Sequence, residues 1–146
     1  MSWCGDIRIK FYKSGAFSEM LSILHQAGWG FYNDIVCYDS YTDIVDYGIN
    51  SQYASVSELP SILSLLDTKS EAGERVSMDF YWQGDGAHIT CELTSPESLW
   101  ITWDASQPLL SGSSCLTDFS WLLSRIAIPL MEAGYDPQSI ACCDEH

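Results

Sequence analysis

The chain of 146 residues is 47% apolar and 13% aromatic, and its 20 acidic and 6 basic side chains give a formal net charge of −14. This composition excludes a disordered chain, and the length suits a single globular domain over residues 1–146. The negative charge argues against nucleic acid and anionic membrane surfaces as partners, because both are polyanions, and it favours a basic partner.

Cysteine usage and the N-terminal residues bear on the compartment. Six cysteines would allow three disulfides in a secreted protein. The N-terminal residues show no basic segment followed by an apolar run, and no stretch approaches the ~18 apolar residues that a membrane span needs. We therefore expect a cytoplasmic protein whose thiols stay reduced.

The first half of the chain predicts a strand, a helix, an ambiguous segment and a second helix. Residues 6–13 alternate apolar and polar side chains, which is typical of a half-buried strand. Residues 29–54 contain Asn, Asp and Gly between short apolar runs, and they predict one or two short strands. Apolar side chains at helical spacing predict a first helix that ends at Gly28 and a second helix that is capped by Ser57: Phe17, Met20, Leu21 and Leu24, then Leu59, Ile62, Leu63 and Leu66.

The second half begins with a predicted three-stranded meander. Strict alternation predicts strands over residues 76–82, 87–94 and 99–104. The turn Gln83-Gly84-Asp85-Gly86 lies between the first two of these strands, and its Asp-Gly pair is typical of a hairpin. Consecutive strands joined by short turns are expected to pair antiparallel.

A final helix and the order of the elements complete the fold prediction. The helix begins near Thr117 or Asp118, is kinked at Pro129 and ends at Gly134. The tail at residues 142–146 is expected to be disordered, since chain ends usually are. The order β-α-(β)-α-β-β-β-α is typical of an α+β fold in which three helices pack on one face of a mainly antiparallel sheet.

Signatures of catalysis and metal binding are scarce. The sequence has no phosphate-binding glycine loop, nucleophile elbow, metalloprotease helix or paired-cysteine zinc spacing. His88 and Cys91 share a predicted strand but face opposite ways, although His88 can pair with Asp79 or Tyr81 across the hairpin. The adjacent cysteines near the C-terminus would chelate one metal ion poorly. We therefore predict no catalytic residues, no metal site and no cofactor.

The layout of charge is more informative. No Lys or Arg occurs between Lys13 and Lys69, and tyrosines and aspartates are interleaved within that span. A carboxylate accepts charge-assisted hydrogen bonds from Arg and Lys, and a tyrosine adds rigid contact area and cation–π attraction. The competing interpretation is that the tyrosines face the core and the aspartates mark turns. The predicted partner-binding residues are Asp34, Tyr38, Asp39, Tyr41, Asp43, Asp46, Tyr47, Asp79, Tyr81 and Glu92.

The polar side of the meander could extend this surface. Trp100 lies on that side if the register is as predicted, and an exposed tryptophan among acids would be a candidate hot spot for binding. A helix or the first strand could instead cover it.

Residues 38–43 (Tyr-Asp-Ser-Tyr-Thr-Asp), the pair Asp46-Tyr47 and the acidic side chains Asp79 and Glu92 together give the chain a family character. It resembles the bacterial immunity proteins of contact-dependent growth inhibition and related toxin systems, in the general character of the whole chain and not in a single motif. Such proteins are small cytoplasmic α+β proteins, often acidic, that neutralise a cognate toxin domain, commonly a basic nuclease. The resemblance implies a non-catalytic inhibitor that occupies a cationic cleft and excludes its substrate.

Two other functions remain open on the sequence. One is a non-catalytic regulatory or scaffolding subunit with an apolar interface, whose complexes would survive high salt where an acidic-to-basic complex would weaken. The other is a small enzyme that uses His88 or a cysteine. The oligomeric state and the identity of the partner are not determined by the sequence.

Overall fold

Eight strands and three α-helices form within the described residues, which are 4–46, 51–103, 108–113 and 116–145 of this computed structural model. The helices are α1 (Phe17–Ala27), α2 (Leu59–Glu71) and α3 (Phe119–Glu132). The strands are β1 (Cys4–Phe11), β2 (Trp29–Gly30), β3 (Ile35–Tyr41), β4 (Gln52–Ser55), β5 (Arg75–Trp82), β6 (His88–Ser95), β7 (Ser98–Trp103) and β8 (Pro137–Glu145). The predicted α+β class with an antiparallel sheet is confirmed.

The strands form one sheet in the order β4-β3-β5-β6-β7-β1-β8, and β2 pairs with the end of β5. β5, β6 and β7 are the predicted meander. β1 lies between β7 and β8, with Ile7 opposite Ile101, and β3 lies on the other side of the meander. All these pairings are antiparallel, so side chains that oppose each other share a face of the sheet.

One core joins the inner face of the sheet to the helices. Alternate strand residues point to the same side, and the inward set is apolar on every central strand. α1 packs against both α2 and α3 and contributes four buried side chains. The core includes Ile7, Ile9, Val76, Met78, Phe80, Ile89, Leu93, Leu99 and Ile101 from the sheet, with Phe17, Leu24, Ile62, Leu66, Leu122 and Ile126 from the helices.

The turn between β5 and β6 lies at the predicted residues. Trp82 donates its N–H to the Ala87 carbonyl at 2.9 Å, so four residues form the loop. The residues with positive φ are Gln83 (53°) and Gly84 (87°), not the Asp85-Gly86 pair. The loop reverses direction at its first two positions, before the Asp-Gly pair on which the prediction was based. The predicted hairpin and its turn at residues 83–86 are confirmed.

The second helix is preceded by a cap that the sequence prediction misplaced. Ser55, not Ser57, is the capping residue, and its hydroxyl accepts the Ser57 N–H at 3.3 Å. Glu58 completes the capping box by accepting the Ser55 N–H at 3.2 Å. This box begins a short 3-10 turn that leads into α2, where Pro60 lies in the first turn as expected.

The ambiguous segment holds β2, β3 and β4. β2 has only two residues, so β3 and β4 are the two strands of ordinary length. Asn33 and Asp34 have positive φ values of 54° and 56° and turn the chain into β3. Asn and Asp tolerate this left-handed region better than most residues, which explains their place here.

The prediction of a disordered tail at residues 142–146 is wrong for residues 142–145, which belong to β8. This strand pairs with β1 from Cys4 opposite Glu145 to Phe11 opposite Pro137. The Thr117 N–H donates to the Asp144 carboxylate at 2.8 Å, and the Thr117 hydroxyl donates to the same carboxylate. Most β8 side chains are exposed, so main-chain hydrogen bonds hold the strand and leave little apolar alternation in its sequence.

Aspartates satisfy the N-termini of two helices. Asp118, one of the two predicted starting points of the last helix, caps α3, and its carboxylate accepts the Trp121 N–H at 3.0 Å. α1 follows Ala16, which offers no side-chain cap. Asp67 of α2 supplies that function instead, because it accepts the Ser18 N–H at 2.9 Å and also the Ser18 hydroxyl. One carboxylate thus fixes α2 against the start of α1.

Replacing Asp67 by alanine is expected to lower the free energy of unfolding by about 1–2 kcal/mol, the usual cost of losing a helix cap. Urea denaturation followed by circular dichroism measures it. Glu71→Ala is the matched control, since Glu71 is exposed on the same helix and its loss changes the net charge equally. Equal midpoints for the two variants would show that Asp67 does not act as a cap.

Candidate functional site

The outer face of the sheet, opposite the helices, collects polar side chains from five strands. The register aligns one residue from each strand in a row across β3, β5, β6, β7 and β1. Each of them alternates with core residues of its own strand, which is why they share this face. We call this set the central row: Asp39, Ser77, Glu92, Trp100 and Arg8.

Glu92 is buried in the middle of the central row, with 1% of its surface exposed. Arg75 donates to its carboxylate through Nε at 3.0 Å and also through Nη2, and the buried Tyr41 hydroxyl donates to the other oxygen. A buried carboxylate is stable only when it is paired and hydrogen-bonded in this way. Glu92 and Tyr41, both predicted to contact a partner, are therefore engaged inside the protein.

A second part of the outer face exposes aromatic rings beside an acid. The rings of Tyr32 and Tyr81 are 5.6 Å apart, and Tyr81 stacks on His88 at 4.5 Å. His88 Nε2 lies 3.1 Å from Asp79 Oδ2, which confirms the pairing expected across the hairpin. Tyr53 on β4 is 73% exposed and Tyr32 is 51% exposed. We call this surface the tyrosine–acid patch: Tyr32, Asp34, Tyr53, Asp79, Tyr81 and His88.

Cys37 joins Tyr53 to the rest of the patch. It opposes Tyr53 across the β3–β4 pair, and its thiol is within hydrogen-bonding reach of both Tyr53 and Asp79. Burial, and after it the negative charge of Asp79, raises the pKa of the Cys37 thiol to about 11. Ile35 begins the same strand, Asp34 ends the 3-10 turn just before it, and both side chains are exposed.

The arrangement of Cys37, Asp79 and His88 does not activate the Cys37 thiol as a nucleophile. Asp79 lies between Cys37 and His88, whereas a cysteine nucleophile needs the imidazole next to it. The raised pKa also keeps Cys37 protonated at neutral pH. Cys91 faces the core, away from His88 as expected, and burial raises its pKa far above the ordinary value. Neither Cys37 nor Cys91 is therefore activated as a nucleophile by its surroundings.

The ten predicted contact residues do not form one surface. Tyr38 points to the inner side and packs against the core, so it does not share a face with Asp39. Asp39 itself is buried in the central row. Asp43 is exposed and Asp46 half-buried in the turn after β3, and Tyr47 lies outside the described residues. Three of the ten belong to the tyrosine–acid patch: Asp34, Asp79 and Tyr81.

Sequence reasoning missed the basic part of the outer face. Trp100, expected among acids, is flanked by Arg8 and Arg75, whose Cζ atoms lie 5.2 and 5.6 Å from its ring centroid. Its indole N–H donates to Asp6 at 2.8 Å. The signal was present in β1, where Arg8 and Lys10 alternate with apolar residues. Only the register of β1 on β7 shows that they lie beside Trp100.

Two further observations concern metal binding and membrane crossing. Among the described side chains, no group of three or more His, Cys, Asp and Glu is placed to hold a metal ion. Nor do α1, α2 or α3 combine the length and apolarity that crossing a membrane requires.

No protein-family model, curated protein or solved structure matches the chain. The function must therefore be inferred from the geometry and the charge of the molecule itself.

Replacing Glu92 by glutamine is expected to lower the free energy of unfolding by about 1–3 kcal/mol, because it leaves the half-buried charge of Arg75 without its partner. A double-mutant cycle with Arg75→Met should give a coupling energy of roughly 1–3 kcal/mol in urea denaturation. Glu132→Gln is the matched control, since Glu132 is exposed at the end of α3. A coupling near zero would contradict the ion pair.

Cys37 is expected to react slowly with iodoacetamide at pH 8. A pKa of about 11 in place of 9.0 reduces the thiolate fraction there about a hundredfold. The thiol form dominates below the raised pKa, so the rate should keep rising toward pH 11. Peptide mapping by mass spectrometry measures the rate, with the urea-unfolded protein as control. A native profile with its midpoint near 9 would contradict the environment described for Cys37.

Proposed function

We propose that the protein is a stoichiometric inhibitor of the immunity type, which binds a basic toxin domain through the tyrosine–acid patch and occludes that domain's active site. One observation carries the proposal. A chain with 20 acidic and 6 basic side chains exposes tyrosines next to carboxylates on the face of its sheet that the helices leave uncovered.

Several of the few basic side chains contact aromatic rings or carboxylates of the protein itself. Arg125 lies over the Trp121 ring at 4.1 Å, and Lys13 lies over the Tyr135 ring at 4.4 Å. Lys69 is 3.8 Å from Glu74. These contacts leave most of the acidic charge unbalanced toward solvent. Such a field attracts a basic domain and raises its rate of association at low salt.

The exposed tyrosines provide short-range contact area, which charge attraction alone does not. Tyr53 and Tyr32 are exposed rings with few rotatable bonds, so little entropy is lost when a partner covers them. Arg and Lys bind favourably over tyrosine faces, and Arg can also bond a nearby carboxylate such as Asp34 in bidentate fashion. Ile35, 48% exposed, adds apolar contact area at the same place. Aromatic rings with a charged rim are typical of binding hot spots.

Occlusion follows from charge complementarity. An active site that binds nucleic acid is itself positively charged, because it must hold phosphates. An acidic surface docked on such a cleft competes directly with the substrate, and no chemistry by the inhibitor is required. The tightly satisfied groups Glu92 and Tyr41 would keep the sheet rigid beneath the contact.

The test is a titration of the double variant Tyr53→Ala/Asp34→Asn against the partner captured from the cells that carry the gene and then purified. Loss of one aromatic anchor and one charge should weaken binding about tenfold or more. Isothermal titration calorimetry at low and high NaCl measures the dissociation constants. Raising the salt should weaken the parent complex, since charge attraction is screened.

The matched control is the double variant Tyr12→Ala/Asp136→Asn. Tyr12 is 74% exposed, Asp136 is exposed, and the two are neighbours through the Tyr12 N–H donated to the Asp136 carbonyl. This control changes area and charge equally and should bind like the parent protein. An acidic or neutral partner, or a complex insensitive to salt, would instead favour a scaffolding subunit with an apolar interface.

A further inference from the structure

Half of the basic side chains of this acidic protein line one pocket on the outer face: Arg8, Lys10 and Arg75. The pocket has a volume of about 510 Å³, which is within the range of small-molecule sites. Trp100 lines it, and the register places Ser98 and Ser139 on either side of Lys10. It is formed by β1 and its neighbours and does not include the tyrosine–acid patch.

The charges of the pocket are not fully neutralised. Asp6 lies 3.1 Å from Arg8 Nε, and Glu92 pairs with Arg75. Lys10 has no ion pair with any residue in the described part of the chain, so it carries the unmatched charge. The pocket is therefore locally positive within a protein of net charge −14.

Hydrogen-bond donors also remain available in the pocket. Arg8 uses only Nε in its ion pair, and Arg75 uses Nε and Nη2. The two terminal nitrogens of Arg8 and Nη1 of Arg75 donate no hydrogen bond within the described ranges. Guanidinium groups with unused N–H donors match the oxygens of a carboxylate or a phosphate.

The two guanidinium groups are held in place before any ligand binds. Both lie against the Trp100 ring, and Arg75 also lies 5.2 Å from the Tyr41 ring centroid. The Trp100 indole is fixed in turn by its hydrogen bond to Asp6. Groups that are already ordered lose less conformational entropy on binding, so their interactions contribute more to affinity.

We propose that this pocket binds a small oxyanion, a carboxylate or a phosphate, through Lys10 and the unused guanidinium donors of Arg8 and Arg75. A polymeric anion is disfavoured because the field of the whole protein repels it. A small anion is affected mainly by nearby charges, since acids beyond the Debye length of about 8 Å are screened at physiological salt. The proposal goes beyond the inhibitor function and does not depend on it.

The experiment exploits the fact that the chain has only three arginines. Their Nε–H groups are followed by ¹H–¹⁵N NMR while inorganic phosphate, citrate or ATP is added at constant ionic strength. The Arg8 and Arg75 signals should shift saturably with at least one probe, with a dissociation constant of about 1 mM or below. Arg125, on α3 outside the pocket, should not move. Citrate against phosphate and ATP distinguishes the two oxyanion chemistries.

Lys10→Gln should weaken binding of the responding probe about tenfold, the effect of losing one charge-assisted contact. Lys69→Gln, with the same change of charge on α2, should bind like the parent protein. The proposal is overturned if no probe gives a saturable shift up to roughly 10 mM. It is also overturned if Arg125 shifts as much as the other two arginines, or if the Lys10 and Lys69 variants bind alike.

Discussion

The helices cover one face of the sheet and leave the other uncovered, and this asymmetry determines where the functional side chains lie. Alternation along each strand sends apolar residues inward and polar residues outward, so acids of several strands meet at the centre of the outer face. Glu92 can lie there only because Arg75 and Tyr41 satisfy its carboxylate. Around this buried ion pair, the outer face carries two separate surfaces, the tyrosine–acid patch and the basic pocket.

The placement of six bases explains how the chain can be both folded and strongly negative. Aromatic rings and carboxylates of the protein hold most of these bases, as Arg125 is held by Trp121 and Arg75 by Glu92. The negative charge of the surface follows from the excess of 20 acidic over 6 basic side chains. In the proposed function, the outward acids would attract a basic partner at long range, and the tyrosines of the patch would provide the short-range contact.

Most of the fold could be predicted because the local signals agreed with the tertiary structure. The alternation in β1 and the meander, and the helical spacing ended by Gly28, each described one buried face. β8 was not predicted because it is held to β1 by backbone pairing. Backbone hydrogen bonds leave no pattern in the side chains of the sequence. The cap of α1 was equally hidden, since Asp67 is 49 residues away from Ser18 in the chain.

The candidate site was predictable only in part. The alternation correctly placed Asp79, Tyr81 and Glu92 on the outer face, but burial of Glu92 depends on Arg75 of a neighbouring strand. Tyr38 was assigned to the surface from its interleaving with aspartates, although its position on β3 directs it toward the core. The sequence shows which side of a strand each residue faces. Which neighbouring side chain pairs with a buried charge depends on the register between strands and cannot be predicted in the same way.

Hydrogen–deuterium exchange of the protein alone and in complex with its purified partner tests the central claim most directly. Binding through the tyrosine–acid patch predicts slower exchange in the peptides that carry Tyr32, Asp34 and Tyr53, with α1 and α3 unchanged. Slower exchange confined to the helices, with those peptides unaffected, would show that the partner binds the opposite side of the molecule and would contradict the account.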